Sequence, residues 1–148
     1  MSDLEERLAV QDLAIRLFVA TDRRDWPVVE ECFTDPLTLD MTSVAGGEPS
    51  SLRPSDVTRA WADGFQALDH VHHQAGNFQV ELDGESARLH CYGVALHHRT
   101  RIQTAAKTRV FVGTYDMTLR RQQGRWKIAM LRFNLKFLDG NLELEKSV

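Results

Sequence analysis

The order of apolar and polar positions changes character about halfway along the chain. Residues 3–22 carry apolar side chains at helical spacing, with Ser2 or Asp3 placed to cap the first turn. At about 100° per residue, Leu4, Leu8, Ile15 and Phe18 fall on one stripe, while Leu13, Leu17 and Ala20 lie well round to the side. A helix this apolar around its circumference is expected to be embraced by other elements. A second, short helix is predicted over residues 26–33, with Asp25 as N-cap and Pro27 in the first turn. Residues 37–41 read as a short strand. Residues 43–53, with Gly46-Gly47 and Pro49, read as a surface loop. Ser55 or Asp56 can cap a third helix in which Val57, Trp61, Phe65 and Leu68 recur at helical spacing.

Beyond residue 70 the period becomes two. Strands are predicted over residues 71–82, 86–99, 107–120 and 125–137, with turns at Asp83-Gly84, Thr100–Thr104 and Gln122-Gln123-Gly124. Helices first and strands later is the α+β pattern. The expected fold is a single domain, residues 1–148, in which a curved antiparallel sheet forms a cone-shaped barrel around three N-terminal helices. The polar tail from Asp139 is expected to fray or to cover a neighbouring surface.

Composition narrows the class. The chain is 43% hydrophobic and 26% charged, ordinary for a globular domain, and its net charge is −3. Nothing there points to nucleic acid or an anionic membrane surface. No apolar run approaches the ~20 residues of a membrane span, and the acidic start has no signal-peptide core. Cys32 and Cys91 are too few for a disulfide framework and read as buried thiols in a reducing cytoplasm.

Three features could carry chemistry. Asp22 lies eighteen residues after Leu4, about five helical turns, and so continues the predicted stripe. A carboxylate there needs a partner; alternatively, the helix has ended and Asp22 caps the next one. Five of the six histidines stand in two predicted strands, and the sixth, His70, directly precedes the first of them. Alternation puts His97 on a face with Cys91, Gly93 and Ala95, and His73 on a face with Ala75 and Asn77, so both look into space beyond small side chains. Either could instead be an ordinary hydrogen-bonded strand residue. Tyr115 shares a face with Phe111, Gly113 and Met117 and offers a phenol to a ligand oxygen, or simply packs in the core. His70 and His72 share a face, but no carboxylate at a telling spacing completes a metal site, so no cofactor is expected. There is no phosphate loop, nucleophile elbow or dinucleotide fingerprint.

The stretch Asp22-Arg23-Arg24-Asp25-Trp26 resembles the D-x-x-D-W junction of SnoaL-like proteins. His73-Gln74-Ala75-Gly76-Asn77 followed by Asp83-Gly84-Glu85-Ser86-Ala87 is similar to that family's H-x-x-x-N and DG-x-x-A stretch, and Gly124-Arg125-Trp126-Lys127-Ile128 through Asn141 resembles its last strand. The resemblance runs from Leu4 to Asn141. It implies the cone-shaped α+β barrel of the nuclear transport factor 2-like superfamily. The nearest functional likeness is to scytalone dehydratase and related enzymes, which use an Asp–His pair and a second histidine without metal. Carried over, this makes Asp22 the carboxylate, His97 its partner and general base, and His73 the second histidine. The pattern departs at Thr21 and Met41, where the dehydratase has tyrosines, and at Tyr115, where it has asparagine.

The expected function is therefore a cofactor-free dehydratase acting on a hydroxylated aromatic, polyketide or steroid-like carbonyl compound. Asp22, His73 and His97 would be catalytic; Tyr115 and Asn77 would bind polar atoms; Met41, Trp61, Phe65, Leu131 and Phe133 would form apolar walls. The competing readings are a polyketide cyclase or isomerase with the same residues, and a non-catalytic small-molecule-binding domain. The expected partner is an apolar small molecule, with no nucleic acid and no membrane, and the chain is expected to be a homo-oligomer, dimer or trimer.

Overall fold

A computed structural model describes all 148 residues. Helix α1 spans Asp3–Asp22 and opens on a reciprocal capping box between Ser2 and Glu5. The short α2, Trp26–Glu31, has Pro27 in its first turn, where a missing N–H costs nothing. Strand β1, Phe33–Asp40, begins four residues earlier than the sequence pattern suggests. The expected loop over residues 43–53 holds a helical turn, α3 (Thr42–Ala45), and a three-residue strand, β2 (Ser50–Leu52). Helix α4, Pro54–Phe65, carries Trp61 and Phe65 on its inner side. The long strands are β3 (His70–Asp83), β4 (Ser86–His98), β5 (Thr108–Gln122) and β6 (Arg125–Gly140).

The fold is α+β, as expected: four helices against one six-stranded sheet in the order β2-β1-β6-β5-β4-β3. The sheet is not closed. All pairings are antiparallel except β1 with β6, because the early strand inserts beside the last one. Register shifts interrupt β3 between Gly76 and Gln79, and the β5–β6 pairing at Val112/Gly113 and Thr118/Leu119, where the extra residues, Lys136 and Ala129, are on β6. Each such irregularity bends a strand and adds local twist, which curls the sheet around the helices.

Helix α1 buries Val10, Ala14, Leu17, Phe18, Ala20 and Thr21. Of the expected stripe only Phe18 is buried; Leu4, Leu8 and Ile15 are instead exposed, at 67%, 49% and 42%. With apolar residues on nearly every side, helical phase alone did not select the face; packing against the sheet did. Asp22 sits at the margin of the buried face, with its side chain 20% exposed. Cys32 and Cys91 are free and fully buried, and burial pushes their thiols up to about 11 and about 12. The tail does not fray. Leu144, in the 3-10 turn Leu144–Lys146, is fully buried with Leu68, Val71 and Ile102 in a second small core. No helix is long and apolar enough to cross a membrane.

Candidate active site

Strand β3 is an edge strand, so alternate backbone N–H groups along its outer side lack a sheet partner. The end of α1 meets that edge at His73. One oxygen of Asp22 accepts the His73 backbone N–H at 2.8 Å, and the other faces His73 Nδ1 at 2.6 Å. The carboxylate thus holds the backbone and the ring together. A carboxylate only accepts, so Nδ1 carries a proton, and in the neutral ring Nε2 presents its lone pair. Phe18, one helical turn before Asp22, stacks on the imidazole with ring centroids 5.7 Å apart.

This corrects the expected pairing. Asp22 bonds His73, not His97. His97, on the neighbouring strand β4, instead receives a hydrogen bond at Nδ1 from an Arg109 Nη at 2.9 Å. Burial, and after it the Arg109 charge, push the His97 imidazolium down to about 4, so the ring is neutral at ordinary pH. With Nδ1 taken by a cation, His97 lacks the carboxylate partner expected in Asp22.

His73 and His97 nevertheless line one cavity, of about 240 Å³, together with Tyr115. Its walls include Met41, Trp61, Phe65, Leu131 and Phe133, all five of the expected apolar residues, joined by Leu17, Phe18, Val44 and Phe111. Tyr115 sits between Phe18 and Phe133, each 4.9 Å away by ring centroid. The small residues of β4 have a definite use. A Cβ on Gly93 would lie 2.2 Å from the Tyr115 ring, and one on Gly113 of β5 would lie 2.2 Å from the Asn134 backbone oxygen and 2.7 Å from the Phe133 ring. The cross-strand pair Gly93–Gly113 therefore makes the seats for both rings. Burial holds the Tyr115 phenol well above its ordinary range, which keeps its proton in place.

Asn77 does not line this cavity. It adopts φ 55° in the irregular stretch between Gly76 and Gln79, which resets the alternation of β3, and it lies beside Tyr92, Val94 and Lys136 in a shallow depression elsewhere on the sheet. Arg109 went unnoticed in the sequence. Its signal was present, since the alternation that places Phe111, Gly113 and Tyr115 inward places Arg109 inward too. No three His, Cys, Asp or Glu side chains converge where they could hold a metal ion.

The SnoaL-like domain pattern matches residues 2–132. The chain belongs to the SnoaL-like domain family. Among solved structures, the Kfla4162 protein from Kribbella flavida is similar over 98% of this chain and 99% of its own, at 24% identity and a TM-score of 0.92. A type 2 hexachlorocyclohexane dehydrochlorinase, LinA, aligns over 93% of this chain and 90% of its own, at 14% identity and a TM-score of 0.78. A scytalone dehydratase-like protein from Novosphingobium aromaticivorans aligns over 94% and 89%, at 13% identity and a TM-score of 0.81. At such identities the likeness establishes the nuclear transport factor 2-like fold. No curated protein matches in sequence.

Proposed function

We propose that this SnoaL-like protein is a lyase that eliminates water from an apolar carbonyl compound by proton abstraction at the carbon beside the carbonyl. One observation carries the reading: Asp22 grips both the ring and the backbone of His73 at the wall of an apolar cavity. That grip fixes the tautomer whose Nε2 can accept a proton, and it places a negative charge where the imidazolium would form.

In the proposed step, the carbon–hydrogen bond breaks towards His73 Nε2 and its electron pair moves into an enolate. The enolate then expels the hydroxyl on the adjacent carbon as the double bond forms. The imidazolium returns its proton to that hydroxyl, water leaves, and His73 is restored. Tyr115, protonated and buried, would donate to the carbonyl oxygen as charge develops there. The apolar walls would exclude water and favour flat, weakly polar substrates. The names of two structural neighbours, a hexachlorocyclohexane dehydrochlorinase and a scytalone dehydratase-like protein, denote loss of hydrogen chloride and of water, which agrees with this chemistry.

The test follows hydrogen exchange beside the carbonyl. A panel of planar β-hydroxy ketones is incubated with the protein in D2O and read by NMR, with enone absorbance monitored in parallel. Deuterium incorporation and enone formation are expected with the wild-type protein. Asp22→Asn and His73→Ala should each slow the reaction by roughly two to four orders of magnitude, the scale of general acid–base catalysis. The double variant should lose little more, because the two groups act as one unit. Exchange without elimination would favour an isomerase or cyclase. Tight binding without exchange would leave a binding module.

A further inference from the structure

Two histidines line the cavity, and the chain holds their Nδ1 atoms with opposite kinds of partner, a carboxylate for His73 and a guanidinium for His97. Arg109 on β5 stands in register opposite His97 on β4. Its guanidinium reaches two ways: one Nη donates to His97 Nδ1 at 2.9 Å, and the two Nη atoms together grip the Glu145 carboxylate, Nη1 at 2.9 Å from Oε2 and Nη2 on Oε1. Glu145 belongs to the 3-10 turn after β6, and that turn is anchored. Leu144 is fully buried, and Arg99 donates to the carbonyls of Leu144 and Ser147 at 2.9 and 2.7 Å. The Arg109 side chain is only 13% exposed and lies over the Phe111 ring.

A guanidinium has only donors and does not give up its proton in a protein. A donor directed at His97 Nδ1 therefore requires the lone pair there. The single proton of the neutral ring must then sit on Nε2. We infer that Arg109, held by Glu145, is a positioning residue that locks His97 as the neutral Nε2–H tautomer and makes it a hydrogen-bond donor to a carbonyl or enolate oxygen in the cavity. The tautomer stands on the geometry alone; its catalytic use rests on the reading of His73 as the base.

The surroundings agree. The charged and titratable groups facing His97 are Arg109 from β5, His73 from β3, Asp22 from α1 and Glu145 from the 3-10 turn. Burial, Arg109 and His73 disfavour the imidazolium and outweigh the two carboxylates, so the ring stays neutral down to about pH 4. Phe65 and Phe111 fill the rest of its environment, with centroids 5.5 and 5.0 Å away. With the Tyr115 hydroxyl, His97 gives the cavity two donors and no anion. That combination suits a neutral carbonyl compound whose oxygen gains charge during reaction, and it gives a ligand carbonyl a place to anchor in the cavity that His73 also lines.

The experiment reads the ring directly and needs no substrate. Full-length protein labelled with 15N- and 13C-histidine is followed by NMR as a function of pH, for wild type, Arg109→Met, Arg109→Lys and Glu145→Gln. In the wild type, His97 is expected as the Nε2–H tautomer at pH 7, with protonation delayed to about pH 4. Arg109→Met should release the tautomer into a mixture and raise the midpoint by about one unit or more, the usual size of a close-charge effect. Glu145→Gln, at a more exposed position, should loosen the lock in part, and Arg109→Lys should restore it in part. An Nδ1–H tautomer in the wild type, or a tautomer and midpoint unchanged in every variant, overturns the proposal. If Asp22→Asn abolishes deuterium exchange while the His97 signals ignore Arg109, the lock fails and the lyase reading survives. If the lock holds and no carbonyl compound exchanges, the lyase reading fails alone.

Discussion

Asp22 uses its two oxygens on two different donors of His73, and this arrangement fixes both where the imidazole sits and which nitrogen is free. Arg109 does the converse for His97 by offering a donor to the same ring atom, Nδ1. Two chemically identical side chains thereby become one acceptor and one donor. The neutral burial of His97 has a consequence for stability. Its proton affinity is lowered on folding, from an ordinary 6.5 to about 4, so between those values the unfolded chain binds more protons than the folded one. The contribution of this group is complete above pH 6.5 and is lost as pH falls towards 4, by up to about 3 kcal/mol. His97→Asn, which keeps an acceptor for Arg109 but cannot titrate, should flatten the loss between pH 6.5 and 4. Denaturant melts at several pH values check this. Asp116 works in a lower window. Burial would raise its carboxyl, but hydrogen bonds from His90, Arg132 and Asn134 prevail and bring it to about 2, so its contribution fades only from pH 3.8 downwards. A His97→Asn variant as acid-sensitive as the wild type between pH 6.5 and 4 would mean that another group controls that range.

At the scale of elements, β4 and β5 are shaped by their glycine pair. Gly93→Ala would bring a methyl group against the Tyr115 ring, whose neighbours Phe18 and Phe133 leave it little freedom to retreat. Overpacking of this kind costs about 1–3 kcal/mol, and the displaced phenol should also weaken ligand binding. Thermal melts combined with ligand titration would show both effects, while Gly64→Ala, where a Cβ meets nothing within 4 Å, should leave binding alone. The alternation of these strands is readable in the sequence, and it places His73, His97 and Tyr115 on inward faces, where all three line the cavity. Two things lie outside it. Alternation fails where a strand bulges, and Gly76-Asn77, a glycine followed by a residue type that tolerates positive φ, is where β3 does so and takes Asn77 out of the cavity. The partner of Asp22 depends on which sheet edge receives the end of α1. The meander gives the order β3 to β6 but not where the helix lands, and it lands on β3, one strand short of His97.

At the scale of the molecule, the cavity is where the helical layer and the sheet fail to close on each other. Met41 caps α3 and Val44 lies within it, Trp61 and Phe65 come from α4, Leu17 and Phe18 from α1, and the opposite wall comes from β3 to β6. A ligand there touches both layers at once, so it binds the folded chain and loses its site when the layers separate. Mass action then requires a ligand present at a hundred times its dissociation constant to stabilise the fold by about 2.7 kcal/mol. For a domain of this size that corresponds to a rise of several degrees in melting temperature. Planar apolar ketones and phenols should produce the shift, and small charged metabolites should not, because charge buried among these walls would lack a counter-ion. Trp61→Ala removes the largest wall on the α4 side while leaving Asp22, His73 and Tyr115 in place. It should shrink the ligand-induced shift by more than it changes the rate of proton transfer from ligand already bound. A thermal-shift series over both ligand classes, run beside single-turnover deuterium exchange, separates the two effects. Equal shifts from charged and apolar compounds would place the binding determinants outside this cavity.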